Sequence, residues 1–221
     1  MLFDLRARGR RRTVQVVYLG LAVLMGGGLV LFGVGSGNGG GGLLGGLSGS
    51  GSGGNQAQVL SQQEKAALKQ TRLDPADPAA WSALVSARWT NASSGNNYNP
   101  TTGAFTAAGK KELEATTQAW QRYLQLTKTP DPNLALLAAR AYGQLADYAG
   151  EASAWEIQAA ANPGAAKGYE CLAAAAYAAK QTRKGDLALT KALSLVPKLS
   201  RPQLKTAIQA AKTTPSTAQS C

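Results

Sequence analysis

Histidine is absent from this sequence of 221 residues, and acidic residues are scarce, with 12 Asp and Glu against 23 Lys and Arg. Without histidine, the chain lacks the commonest general base and the commonest transition-metal ligand of proteins. Its two cysteines, Cys171 and Cys221, do not have the spacing of a metal-binding motif. The sequence contains no nucleophile elbow, no phosphate-binding loop and no paired carboxylates on a recognisable helix face. These absences predict a protein that is not an enzyme and uses no metal and no cofactor.

Positive charge predominates, and the net charge is +11. From residue 55 onward, 18 Lys and Arg stand against 11 Asp and Glu, and these charges are scattered singly. We interpret them as an ordinary solvated surface and expect no nucleic-acid partner. The remaining positive charge is concentrated in a basic tail, residues 1–13, which contains Arg6, Arg8, Arg10, Arg11 and Arg12.

A long apolar run follows this tail over residues 14–34, and it contains no charged residue. A helix of about 21 residues spans roughly 31 Å, close to the ~30 Å hydrocarbon core of a bilayer. The run therefore predicts a transmembrane helix. Arginines mark the cytoplasmic side of such helices, and no Lys or Arg follows the run until Lys65. We expect a single-pass membrane protein with a cytoplasmic N-terminus and an extracytoplasmic C-terminal domain.

A cleaved signal peptide is the alternative interpretation of residues 14–34. The run is longer than the usual apolar segment of a signal peptide, and no clear small-residue cleavage motif follows it. The many small residues after Gly33 leave cleavage open as an alternative. We favour an uncleaved signal anchor, because it accounts for the full length of the run.

Glycine and serine dominate residues 35–54, which we interpret as a flexible linker. Residues 35–40 match the G-x-G-x-x-G pattern of dinucleotide-binding sites. That pattern has meaning only between a strand and a helix of a βαβ unit, whereas here it follows a predicted membrane helix and leads into more glycine. We therefore expect no nucleotide cofactor at this segment.

Helical periodicity dominates the rest of the chain, and we expect an all-α domain over residues 55–212. Breaks rich in Pro, Gly and Asn divide this domain into helices. A polar stretch without periodicity, residues 91–103, is predicted to be a loop. We expect residues 213–221 to form a disordered tail. The predicted helices are 55–73, 78–90, 106–127, 133–145, 151–161, 166–179, 187–195 and 201–212.

Three prolines mark a regular period in this domain. Pro130 and Pro163 are 33 residues apart, Pro163 and Pro197 are 34 apart, and each interval holds two short predicted helices and a turn. A period near 34 residues with this content is typical of tetratricopeptide repeats (TPRs). The last unit resembles that family most closely, at Tyr169, Leu172, Ala173, Ala192 and Pro197.

The resemblance covers residues 75–197 and is looser in the two earlier units. One of them begins at Trp81 and Leu84, but an insertion of roughly 20 residues separates its two helices, which departs from the family pattern. The resemblance implies a stack of short helical hairpins, a TPR-like solenoid, and the apolar run places one transmembrane helix before it. The middle unit matches the family, with a small shift, at Ala139, Tyr142, Asp147, Tyr148 and Ala152.

Proteins of this family mostly bind peptides or partner domains in a groove lined by the first helix of each repeat. By the resemblance, Arg140 and Lys167 would contact a carboxylate of the partner. We expect Trp89, Trp120 and Trp155 to be core residues rather than ligand platforms. The partner-binding positions that the resemblance implies are Ser82, Ser86, Asn133, Arg140, Gln144, Lys167, Glu170 and Tyr177.

The two cysteines leave one question open. Cys171 lies in the middle of a predicted helix and is expected to be a small buried residue. Cys171 can form a disulfide with Cys221 in an oxidising compartment, although the spacing of the two residues does not support this pairing.

Together these features predict a membrane-anchored TPR-like scaffold or adaptor that binds protein partners in an extracytoplasmic compartment. A structural homo-oligomer of the membrane envelope, without a separate ligand, is the first alternative, because Ala22 and Gly26 form a small-residue pair suited to contacts between membrane helices. Docking on anionic lipid or an acidic wall polymer is another alternative, and an enzyme is the last.

Overall fold

The structure, a computed structural model, describes residues 53–221, with side chains from residue 59 onward. The predicted basic tail 1–13, the predicted transmembrane helix 14–34 and nearly all of the predicted linker 35–54 lie outside the described residues. Within the described part of the chain, no helix combines the length and the apolar composition that crossing a membrane requires.

Eight α-helices account for most of residues 53–221, so the predicted all-α class is confirmed. The helices are α1 (Gly53–Leu73), α2 (Pro78–Ala92), α3 (Ala107–Leu126), α4 (Pro132–Gln144), α5 (Tyr148–Ala161), α6 (Ala166–Ala178), α7 (Thr182–Leu195) and α8 (Arg201–Gln209). Short 3₁₀ helices occupy Gly95–Asn97, Lys198–Ser200, Ala210–Lys212 and Pro215–Ser220. The bounds agree closely with the predicted ones, except that α5 and α7 begin earlier.

The α4–α5 and α6–α7 hairpins repeat the same turn 34 residues apart. Ala146 and Lys180 both have left-handed backbone conformations, with φ of +59° and +60°, which residues other than glycine seldom adopt. In each turn, the following residue donates its N–H to the carbonyl five positions back, at 2.9 Å and 2.8 Å. The second helix of each hairpin begins directly after this turn, which explains the early starts of α5 and α7.

Each hairpin has one contact in which a glycine faces a large residue. The glycine lies on the first helix in one hairpin and on the second helix in the other. In the α4–α5 hairpin, Gly143 faces Glu151, and a methyl group on Gly143 would lie 3.1 to 3.2 Å from the Glu151 carboxyl group. In the α6–α7 hairpin, 34 positions later, Tyr177 faces Gly185, and a methyl group on Gly185 would overlap the Tyr177 ring. The contact therefore accepts a large side chain from either helix when the facing helix carries glycine.

The core is centred on α6, whose residues from Cys171 to Ala178 are all buried. This helix packs against α5, α7, α8 and the C-terminal 3₁₀ helix. Most of its buried residues are alanines, which allow the neighbouring helices to approach closely. Trp120 and Trp155 are also buried, as predicted, whereas Trp89 is only half-buried.

The loop predicted at residues 91–103 contains more regular structure than its polar composition indicates. Strand β1 (Tyr98–Asn99) pairs in antiparallel fashion with strand β2 (Ala104–Phe105). Tyr98 lies opposite Phe105 in this register, and their ring centroids are 5.0 Å apart. The resulting β-ribbon holds these two aromatic rings against each other.

The C-terminal segment, residues 213–221, differs from the disordered tail that the sequence predicts. Pro215–Ser220 forms a 3₁₀ helix that packs against α6, and Ala218 is fully buried. Cys221 forms a disulfide with Cys171 of α6, and their Cα atoms are 5.6 Å apart. A covalent bond and a buried alanine thus order a segment whose polar composition alone would leave it loose. The cysteine pairing that the sequence leaves open is formed.

Candidate binding pocket

A cavity of about 310 Å³ lies where α4, α5, the end of α2, the β-ribbon and the C-terminal segment meet. Its lining combines aromatic rings, one buried carboxyl group, one guanidinium group and several small or neutral polar residues. The lining residues are Trp89, Ser93, Tyr98, Gly103, Phe105, Arg140, Gly143, Gln144, Glu151, Trp155, Gln219 and Cys221. Because they come from three distant stretches of sequence, only tertiary packing creates the cavity.

Four aromatic side chains line the cavity: Trp89, Tyr98, Phe105 and Trp155. The β-ribbon sets Tyr98 beside Phe105, and the Phe105 ring centroid lies 6.4 Å from that of Trp89. Trp155 comes from the middle of α5 and is 2% exposed. The rings therefore come from three separate elements, α2, the β-ribbon and α5.

Glu151 is the buried acid of the cavity, with 2% of its surface exposed. Its Oε1 accepts a hydrogen bond of 3.4 Å from Nε1 of Trp155, and its Oε2 has no hydrogen-bond partner within the described chain. Burial raises the pKa of Glu151 to about 8, while the Trp155 hydrogen bond lowers this pKa and the Asp147 charge raises it, each to a smaller extent. The carboxyl group is therefore mainly protonated at neutral pH when no ligand faces it.

Two features of the α4–α5 hairpin bring this carboxyl group to the cavity. Asp147 caps α5 by accepting a hydrogen bond of 2.9 Å from the N–H of Gly150, which fixes the first turn of the helix. Glu151 follows in that turn, and Gly143 on the facing helix leaves the space that the carboxyl group fills. Both Gly143 and Glu151 line the cavity.

Two of the predicted partner-binding residues, Arg140 and Gln144, line this cavity together. They lie one helical turn apart on α4, where Arg140 is exposed and Gln144 is half-buried. Within the described residues, no ion pair joins Arg140 to Glu151. The other predicted positions lie elsewhere on α2, α4 and α6 and do not line the cavity: Ser82, Ser86, Asn133, Lys167, Glu170 and Tyr177.

Tyr177 differs from the other predicted residues because it is buried, with 3% of its surface exposed. Its hydroxyl group donates a hydrogen bond of 2.7 Å to Oδ1 of Asp186, and Nζ of Lys212 lies 4.1 Å from its ring centroid. The ring also fills the space opposite Gly185. The structure therefore gives Tyr177 an internal packing role rather than a place on a surface that a partner reaches.

Most of the cavity lining has no recognisable signal in the sequence. Gln219 and Cys221 lie in the segment predicted to be disordered, and Trp89 resembles any other aromatic residue of an amphipathic helix. Apart from Arg140 and Gln144, which the resemblance implies, Glu151 is an exception, because it lies four positions before Trp155 and so shares a helix face with a core residue. An acidic residue at such an inward position is uncommon and indicates a buried carboxyl group.

A larger open groove of about 730 Å³ lies between α5, α6 and α7. Its floor is largely apolar, and its edge carries Arg183, Lys184 and Lys191. The two lysines are engaged within the chain, since Nζ of Lys184 lies 2.7 Å from Oε2 of Glu156 and Nζ of Lys191 lies 5.8 Å from the Tyr169 ring centroid. None of the predicted partner-binding residues lines this groove, so the cavity at Glu151 is the stronger candidate site.

No protein-family model matches this sequence, and no curated protein matches it at a significant level.

Proposed function

We propose that this chain is a membrane-anchored scaffold or adaptor whose helical domain, residues 55–212, is a TPR-like stack that binds a protein partner. The observation that carries the proposal is the cavity, which brings Arg140 and Gln144 of the predicted groove beside four aromatic side chains and a buried carboxyl group. Aromatic and arginine side chains contribute most of the binding energy in protein interfaces, so this lining suits a segment of a partner protein.

The repeated hairpin supports the TPR-like part of the proposal. The left-handed residues Ala146 and Lys180 lie 34 positions apart, which is the period of that family. The two hairpins pack on each other through α5 and α6, and α8 then lies against α6 and α7. This last position is the one that a closing helix occupies in a repeat stack.

The disulfide supports an extracytoplasmic position of the helical domain. Disulfides persist in oxidising compartments and are rare in the cytosol. The Cys171–Cys221 bond therefore agrees with the orientation expected from the arginine-rich tail and the apolar run at residues 14–34. In this proposal, the tail faces the cytoplasm and a single span holds the domain at the membrane.

Site-specific photo-crosslinking tests the binding role. A photoreactive amino acid replaces Gln144 in the full-length protein, expressed in its natural host, and crosslinked proteins are identified by mass spectrometry after detergent extraction. We expect a defined partner to crosslink at this position. The yield should fall strongly with Arg140→Glu and stay unchanged with Lys198→Glu, a reversal of an exposed charge outside both the cavity and the predicted groove.

Two results would contradict the adaptor role. Crosslinks that join only copies of this chain would favour the homo-oligomer without a separate ligand. A complete lack of crosslinks at position 144, beside efficient labelling at an exposed position such as Leu199, would remove the cavity from the proposed interface.

A further inference from the structure

We propose that the cavity binds the ammonium group of a lysine side chain on the partner, with the Glu151 carboxylate as its ion partner and the aromatic rings as its walls. This inference rests on the proposed binding role of the cavity and specifies the chemistry that the cavity recognises. It concerns Glu151, Trp155 and the rings around them, which the predicted groove positions do not include.

The first support is the incomplete hydrogen bonding of the buried acid. Oε2 of Glu151 has no partner in the described chain, and Oε1 receives one long bond of 3.4 Å from Trp155. Buried carboxyl groups in proteins nearly always have hydrogen-bond or ion partners, because an unsatisfied one is costly. An ammonium group carries three N–H donors and a positive charge, so it supplies what this carboxyl group lacks.

The second support is the nature and the size of the walls. Aromatic faces attract cations through their quadrupole, and Trp89 and Trp155 are the ring type that does so best. A volume of about 310 Å³ lies at the lower end of the range for ligand cavities, about 300 Å³ and above, and suits one side chain better than a large ligand. Rings and carboxylate together therefore favour a cationic group over a neutral or an anionic one.

The third support is that the hairpin does not require this acid. The equivalent contact of the α6–α7 hairpin is made by Tyr177 and Gly185, and that hairpin has the same turn and the same helix start. A carboxyl group in the α4–α5 hairpin is thus an addition to the fold rather than a part of it. Gly143 opposite the acid provides the space that the carboxyl group occupies.

The charges around Glu151 are compatible with a bound cation. Asp147, the residue that caps α5, adds negative charge near the acid. Arg140 on α4 is the cation that lines the cavity, but it is exposed, so solvent screens its repulsion. Arg140 is then placed to contact an acidic group of the same partner segment, as the groove prediction expects.

A titration with Nα-acetyl-lysine amide tests the inference on the full-length protein in detergent micelles. With ¹⁵N-labelled tryptophan, each indole N–H reports separately, at about pH 9, where the carboxyl group is ionised and lysine is still charged. We expect the signals of Trp89 and Trp155 to move while those of Trp81 and Trp120, which do not line the cavity, stay in place. Nα-acetyl-norleucine amide, which lacks the ammonium group, should move none of them.

Two matched variants complete the test. Glu151→Gln keeps the shape and an acceptor oxygen but removes the charge, and it should weaken lysine-amide binding by about tenfold or more. Glu156→Gln, on the exposed side of the same helix, should leave binding unchanged. Equal binding of the norleucine amide, or full affinity in Glu151→Gln with the Trp120 signal at its native position, would overturn the inference.

The outcomes separate this inference from the proposed function. A partner that crosslinks at position 144, together with no response to the lysine amide, would leave the adaptor role standing and remove the ammonium site. A response to the lysine amide without any crosslinked protein would establish the ammonium site and remove the adaptor role.

Discussion

Glu151 is an almost fully buried acid, and its burial makes the stability of the fold depend on pH. Burial raises its pKa to about 8 from an ordinary value of 4.5, so the folded protein holds a proton that the unfolded chain releases. When a group has a higher pKa in the folded state than in the unfolded state, it stabilises the fold fully at a pH below the unfolded-state pKa. This contribution is lost as the pH rises through the folded-state pKa.

We therefore expect the ligand-free protein to lose stability between about pH 4.5 and about pH 8, by at most roughly 1.4 kcal/mol per pH unit from this residue. Urea unfolding at both ends of this range, compared between the native sequence and Glu151→Gln, measures the effect. The free energy of unfolding of Glu151→Gln should increase relative to that of the native sequence as the pH rises. Glu156→Gln, an exposed acid on the same helix, should follow the native sequence, and a constant difference between native sequence and Glu151→Gln would refute the assignment.

The Tyr177–Gly185 contact, like the Gly143–Glu151 contact, depends on a glycine that leaves room for a larger side chain. A methyl group at position 185 overlaps the Tyr177 ring, so Gly185→Ala should destabilise the domain by about 1 to 3 kcal/mol despite the better helix propensity of alanine. Gly164→Ala, where no atom lies within 4 Å of the added carbon, should be close to neutral. Thermal unfolding of the two variants side by side measures the difference, and equal melting temperatures would contradict the packing described here.

Among the elements, the helices are the part that the sequence predicts well, because their signals are local. Asp77 and Asp131 each precede a proline at the first helical position and accept a hydrogen bond from the N–H two residues on. The cavity has no such local signal. Trp89, Glu151 and Gln219 meet only after α2, α5 and the C-terminal segment have packed, and no periodicity within one segment encodes that meeting.

The C-terminal segment is the element for which composition misleads most. Thr, Ser and Gln dominate residues 213–221 and predict disorder, but the disulfide to α6 and the burial of Ala218 order them. The burial of Tyr177 is likewise not apparent from its own segment. Its helix face resembles a partner-binding face, while the glycine that receives its ring lies eight positions later on another helix.

Replacing both cysteines by alanine tests the role of the disulfide in this element. The bond joins positions 50 residues apart, and closing a loop of that length contributes roughly 4 kcal/mol in the chain-entropy model. We expect a loss of about 2 to 4 kcal/mol and faster amide hydrogen exchange in residues 215–220. Unchanged exchange protection in this segment would show that packing on α6 alone holds it.

For the molecule as a whole, the proposed topology makes a prediction that does not depend on the cavity. Protease added outside intact cells, after removal of any outer barrier, should digest the helical domain and spare a tag fused before the arginines of residues 1–13. The positive charges resist translocation and so keep the tag inside. A tag lost together with the domain, with a cytosolic marker still intact, would reverse the orientation.

The disulfide also sets the order in which the molecule is completed. A chain made from its N-terminus contains Cys171 fifty positions before Cys221, so α7 and α8 are synthesised before the disulfide can form. Cys221 is itself part of the cavity wall. Closure of the disulfide is therefore the covalent step that fixes this part of the cavity wall to α6.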